Sequence, residues 1–112
     1  MKRAFTAFCM LLFSAPAAAY SCTGTVNYLG LSNDGTVEVD NGNGIWAVCS
    51  LSGTYGSTTT EACAAWYSGM LTARAGARTI TIYFAPSDNA GIATCAGLGN
   101  WAGRYPYFVQ LD

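Results

Sequence analysis

Four cysteines, Cys22, Cys49, Cys63 and Cys95, lie downstream of a stretch that reads as an export signal, and no other feature restricts the chain so strongly. Thiols pair in the oxidising compartments that exported proteins enter. Four of them imply two disulfides, in one of three pairings. The competing use is a metal site. Successive cysteines are far apart, no Cys-x-x-Cys pair occurs and the chain has no histidine, so the ligand pattern of a zinc site is missing. Disulfides are the expectation, with no metal and no cofactor.

The export reading rests on residues 1–19. Lys2 and Arg3 supply a positive start, and Ala4 to Phe13 is apolar except for Thr6. Pro16 ends any helix, and Ala17-Ala18-Ala19 offers small residues for cleavage before Tyr20. An apolar run of about ten residues is half of what a bilayer requires, so no membrane insertion is expected. Cys9 would leave with the signal peptide. Residues 20–112 then form a single domain, exported to the periplasm or secreted.

That domain carries Arg74, Arg78 and Arg104 against six carboxylates, a net charge of −3, with no lysine. Nucleic-acid binding needs cations to displace counterions from phosphates, so no nucleic-acid partner is expected. A domain of this size buries only about 60–65% of its unfolded surface. Two disulfides, each contributing roughly 2–4 kcal/mol, are the natural bracing.

Hydrophobic periodicity divides the domain into five extended segments and one helix. Thr23–Leu31 is rich in strand formers, with two glycines that mark bending. Ser32-Asn33-Asp34-Gly35 reads as a turn. Thr36–Asp40 alternates, Asn41-Gly42-Asn43-Gly44 turns again, and Ile45–Leu51 forms a third strand. Thr58-x-x-Glu61 reads as a capping box. Cys63, Trp66, Met70 and Ala73 then recur at helical spacing, and Gly76 suits a left-handed stop. Arg78–Phe84 alternates again, Ala85–Gly99 is a polar loop holding Cys95, and Tyr105–Leu111 closes the chain. Cys49 ends a strand and Cys63 opens the helix, which favours Cys49–Cys63 with Cys22–Cys95 over the other pairings.

The resulting order is β-β-β-α-β-β, mainly β with one helix. It is the order of an OB-like five-stranded Greek-key barrel. An open antiparallel sheet with one packed helix is the alternative. A long first strand interrupted by glycine favours the barrel, because that strand must bend to serve both halves.

Catalytic groups are scarce. Without histidine there is no Ser-His-Asp or Cys-His arrangement. Glu38 and Asp40 sit two apart on a strand's solvent face, where charge keeps an edge soluble. Glu61 is explained by capping and Asp34 by a turn, while Asp88 lies in a loop. Asp40 to Gly44 lacks the ligand spacing of a calcium loop. No enzyme activity is expected.

Aromatic residues remain. Trp46 and Trp66 belong to strand and helix faces and read as core. Trp101 differs, because it sits in Gly99-Asn100-Trp101-Ala102-Gly103-Arg104, where an indole beside Asn100 and Arg104 could stack on a sugar. The plainer reading is that Trp101 folds back over the barrel mouth. Asn100, Trp101 and Arg104 are the candidate ligand-binding residues.

The segment from Ala65-Trp66-Tyr67 through Gly76-Ala77-Arg78-Thr79-Ile80-Thr81-Ile82-Tyr83-Phe84 resembles the receptor-binding B subunits of pentameric bacterial toxins, of the subtilase cytotoxin and typhoid toxin type. Those subunits similarly place an aromatic-bearing helix, a glycine break and a tyrosine-bearing strand in succession. The resemblance implies an OB-fold, assembly into a homo-oligomer and glycan binding. Their sugar-contacting segment has no counterpart in Ser21–Leu31, so no binding residue is carried over. Two functions fit: a non-enzymatic module with a glycan or protein partner, or a periplasmic inhibitor or immunity-type protein that blocks a partner enzyme.

Overall fold

Alternating β-branched and polar residues build strands at Thr36–Asp40 and Thr79–Phe84, and seven strands occur among the described residues, where five extended segments are expected. The structure is a computed structural model and describes residues 18–112. The signal-peptide reading of residues 1–19 falls outside it, apart from Ala18 and Ala19. The elements are β1 (Tyr20–Thr25), β2 (Tyr28–Leu31), β3 (Thr36–Asp40), β4 (Ile45–Ser50), α1 (Thr60–Ala75), β5 (Thr79–Phe84), β6 (Ala102–Gly103) and β7 (Pro106–Leu111). They form a three-stranded sheet, β1-β5-β7, and a four-stranded sheet, β2-β3-β4-β6. All pairs are antiparallel except β4 with β6.

Mainly β with one helix is therefore correct, and the strands form two unclosed sheets in place of a single open antiparallel sheet. The predicted strand Thr23–Leu31 is the reason. It breaks at Val26–Asn27, so that β1 pairs with β5 and β2 with β3. Gly24 lets the Asn41 backbone approach β1 closely, since a Cβ there would overlap the Asn41 carbonyl. The short β6 has no readable periodicity. It is placed by Trp101 and Arg104 N–H groups donating to the Ile45 and Ala47 carbonyls at 2.7 and 2.8 Å.

The helix begins one residue later than its capping box suggests. Thr59, not Thr58, accepts the Ala62 N–H at 3.1 Å, because Thr58 is occupied in a two-way backbone bridge with Tyr55. At the other end Gly76 has φ −91°, and Ala77 takes the left-handed conformation at φ 52°. This lets the Arg78 N–H reach back to the Ala73 carbonyl at 2.8 Å. Along the predicted stripe Cys63, Met70 and Ala73 are buried, and Trp66 packs half-buried against the core.

That core lies between the sheets and the helix. Trp46 and Phe84 meet edge to face at 5.3 Å, with Val37, Val39, Val48, Ile80, Ile82, Met70 and Leu98 fully buried around them. Both preferred disulfides are present. Cys22–Cys95 ties β1 to the loop before β6, and Cys49–Cys63 ties β4 to α1, with Cα separations of 5.9 and 5.6 Å. The Asn41–Gly44 segment turns the chain, and the Asp40 carboxylate accepts the Gly42 N–H. Asn41 is buried and donates to the Cys22 carbonyl at 2.9 Å, with the Ile80 carbonyl 3.5 Å away. Its side chain thus joins the end of β3 to the other sheet.

Candidate functional site

The segment Gly99–Arg104 owes its shape to β4. The Gly99 carbonyl accepts the Trp46 indole N–H at 2.9 Å, and Asn100 Oδ1 accepts the Ile45 N–H at 3.2 Å. With the bond from Trp101 N–H to the Ile45 carbonyl, these contacts hold three successive residues against one strand end. Trp101 is fixed at φ 57°, in the left-handed region. That conformation costs a non-glycine residue about 1–2 kcal/mol.

The consequence is an indole held outward, 71% exposed, rather than folded over a barrel mouth. Its neighbour is Tyr28, whose ring meets it edge-on at 6.2 Å and 72° and is itself exposed. Tyr28 lies back over Gly30 in the same strand, where a Cβ would come within 2.7 Å of its hydroxyl oxygen. A side chain at position 30 would push the tyrosine away from the tryptophan.

The three predicted site residues do not all face the same task. Asn100 uses its carbonyl oxygen internally, while its amide nitrogen makes no hydrogen bond among the described residues. Arg104 is half-buried, and its Nε donates to the Leu98 carbonyl at 2.9 Å. It anchors the segment with one nitrogen. Tyr28 was not legible in the sequence, since a contact across 73 positions has no local pattern; Gly30 two residues on is the only trace.

A second concavity lies beyond Arg104. Gly56, Ser57, Thr58, Asp88, Tyr105, Pro106 and Tyr107 line a cleft of about 330 Å³. Buried Asn89 fixes its wall by accepting the Tyr105 N–H at 2.8 Å and donating to the Tyr105 and Ala85 carbonyls. Tyr55 stacks on Tyr105 at 4.8 Å and 22°, and its hydroxyl donates to the Ala47 carbonyl at 3.2 Å. Burial, and then the neighbouring Tyr105, push the Tyr55 phenol up to about 12, against a smaller opposing pull from Arg104.

Comparison of the chain with protein-family models, curated proteins and solved structures gives no match. Its class is set by its own features: a mainly β, two-disulfide domain that presents an exposed aromatic pair, Trp101 on a hydrogen-bonded segment and Tyr28 on β2.

Proposed function

We propose that this chain is an exported, non-enzymatic binding module that recognises a glycan through Trp101 and Tyr28. One observation carries the reading. The largest side-chain type is held in solvent on left-handed backbone by bonds that over-determine its position. Backbone strain of this kind persists where the surroundings enforce it, and it clusters at ligand-binding sites. A flat indole with an apolar face suits the apolar face of a pyranose, and the free amide N–H groups of Asn100 can donate to ring hydroxyls.

The wider proposal draws on the fold. β1 runs into β2 through Val26–Asn27, and β6 into β7 through Arg104–Tyr105, so each pair passes from one sheet to the other. Read as single bent strands, they give the connectivity of an OB-like Greek-key barrel. That layout supports the likeness to toxin B subunits and, with it, self-association. Two disulfides accord with an oxidising compartment.

The test is a glycan array probed with the oxidised protein, alongside Trp101→Ala and Tyr28→Ala variants. Trp101→Ala should keep stability within about 1 kcal/mol, as an exposed side chain allows, while removing glycan retention. Retention unaltered by both substitutions, or a blank array, would end the proposal.

A further inference from the structure

The cleft beside Tyr105 shares no residue with the Trp101–Tyr28 platform. We propose that it is a separate binding site, which takes the guanidinium or ammonium group of an exposed basic side chain on a protein partner.

The lining selects for a cation. Asp88, at the end of the short turn Pro86–Asp88, brings a carboxylate that accepts no hydrogen bond among the described residues. The Thr58 and Ser57 hydroxyls add acceptor oxygens, and Tyr105 and Tyr107 add rings whose faces attract positive charge. Among the described residues no basic side chain lines the cleft. Of the described arginines, Arg74 donates to the Val26 carbonyl and Arg104 to the Leu98 carbonyl. Asp88 is exposed, and among the described residues no cation lining the cleft pairs with it. The net charge of −3 on residues 20–112 draws a cation in and holds an acidic ligand off.

Size and rigidity fit one side chain. A volume of about 330 Å³ is at the lower end for ligand cavities. Asn89 and Tyr55 hold Tyr105 in place from behind, so the site is formed before a ligand arrives. A protein is favoured over a free amine by what flanks the opening. Tyr107 lines the cleft and is 51% exposed, Phe108 beside it meets the same Tyr83 ring and is as exposed, and aromatic residues of this kind are enriched in protein interfaces.

Four probes test the proposal by NMR titration of the oxidised protein: N-acetyl-arginine amide, its uncharged isostere N-acetyl-citrulline amide, a glycine-rich decapeptide with one central arginine, and methyl galactoside. The arginine probe should give saturable shifts at Thr58, Asp88, Tyr105 and Tyr107, and bind about tenfold more tightly than citrulline, as one cation–π contact and one ion pair imply. The decapeptide should bind more tightly still. Asp88→Asn should lose that tenfold preference, and Thr58→Val should weaken the arginine probe without changing the melting temperature by more than a few degrees. Trp101→Ala should leave every one of these constants unchanged, which separates this site from the glycan platform. Equal binding of arginine and citrulline, an unaltered preference in Asp88→Asn, or no gain with the decapeptide would overturn the proposal. So would tighter binding of methyl galactoside at the same residues.

Discussion

Asn41 shows how much one polar side chain can decide in a small core. Its amide nitrogen caps the Cys22 carbonyl and lies near that of Ile80, and its oxygen accepts from Asn43 at 3.1 Å. Asn43 in turn donates to the Thr23 carbonyl at 3.0 Å. Burying carbonyls without partners costs about 1–3 kcal/mol each. Asn41→Ala should therefore lower the stability of the oxidised protein by roughly 2–3 kcal/mol, while Gly42→Ala mainly strains a left-handed turn position at φ 91°. Chemical denaturation reads both, and an Asn41→Ala loss below about 0.5 kcal/mol would show that the sheets do not depend on this bridge. A second polar cluster obeys similar limits. Thr81 has one hydroxyl proton and donates it to the Asp112 carboxylate, so Thr23, 2.8 Å away, must donate to Thr81.

At the scale of elements, the two disulfides do different work. Cys22–Cys95 closes a separation of 73 residues and Cys49–Cys63 one of 14. On the chain-entropy account these restrict the unfolded state by about 4 and about 3 kcal/mol respectively. Their accessibility runs the other way. Cys49 and Cys63 are fully buried between β4 and α1, whereas Cys95 is only half-buried in its loop. Under native conditions dilute reductant should open Cys22–Cys95 first, despite its larger contribution to stability. Differential alkylation with peptide mapping measures the order, and equal rates at both bridges would contradict it. The loop tethered by Cys95 leads directly to Asn100 and Trp101. Its release should also weaken glycan retention before the core melts.

The whole molecule has an alkaline limit that follows from its tyrosines. The Tyr55 phenol is raised from 10.0 to about 12 in the fold, and burial raises Tyr20 as well. A raised folded value means that the native state holds the proton more tightly than the unfolded chain does. The associated stability is complete below about pH 10 and is lost as pH climbs from 10 towards 12. Melting temperatures should fall over that interval, and Tyr55→Phe should flatten the fall while lowering stability at neutral pH by about 1 kcal/mol for the hydrogen bond to Ala47. Parallel curves for both proteins would assign the alkaline loss to other groups.

The features legible in the sequence were those with a local physical cause. Alternation in Thr36–Asp40 and Arg78–Phe84 located β3 and β5, the i, i+3, i+7 stripe located α1, and cysteine position favoured the pairing that the structure contains. Each depends on neighbours a few residues away, or on one geometric closure. What was hidden depends on contacts between distant segments. The break at Val26–Asn27 accompanies the pairing of β1 with β5 and of β2 with β3, and β6 pairs along β4. Thr59 takes the cap because Tyr55 already holds Thr58. The aromatic site divides along the same line. The sequence by itself marked Trp101 as unusual through its glycine-flanked, polar surroundings, but only the tertiary structure decided that it faces solvent. Tyr28 reaches Trp101, and Asp88 and Asn89 reach Tyr105, only on folding, because side-chain direction is set by the hydrogen bonds of strands and loops far apart in the chain.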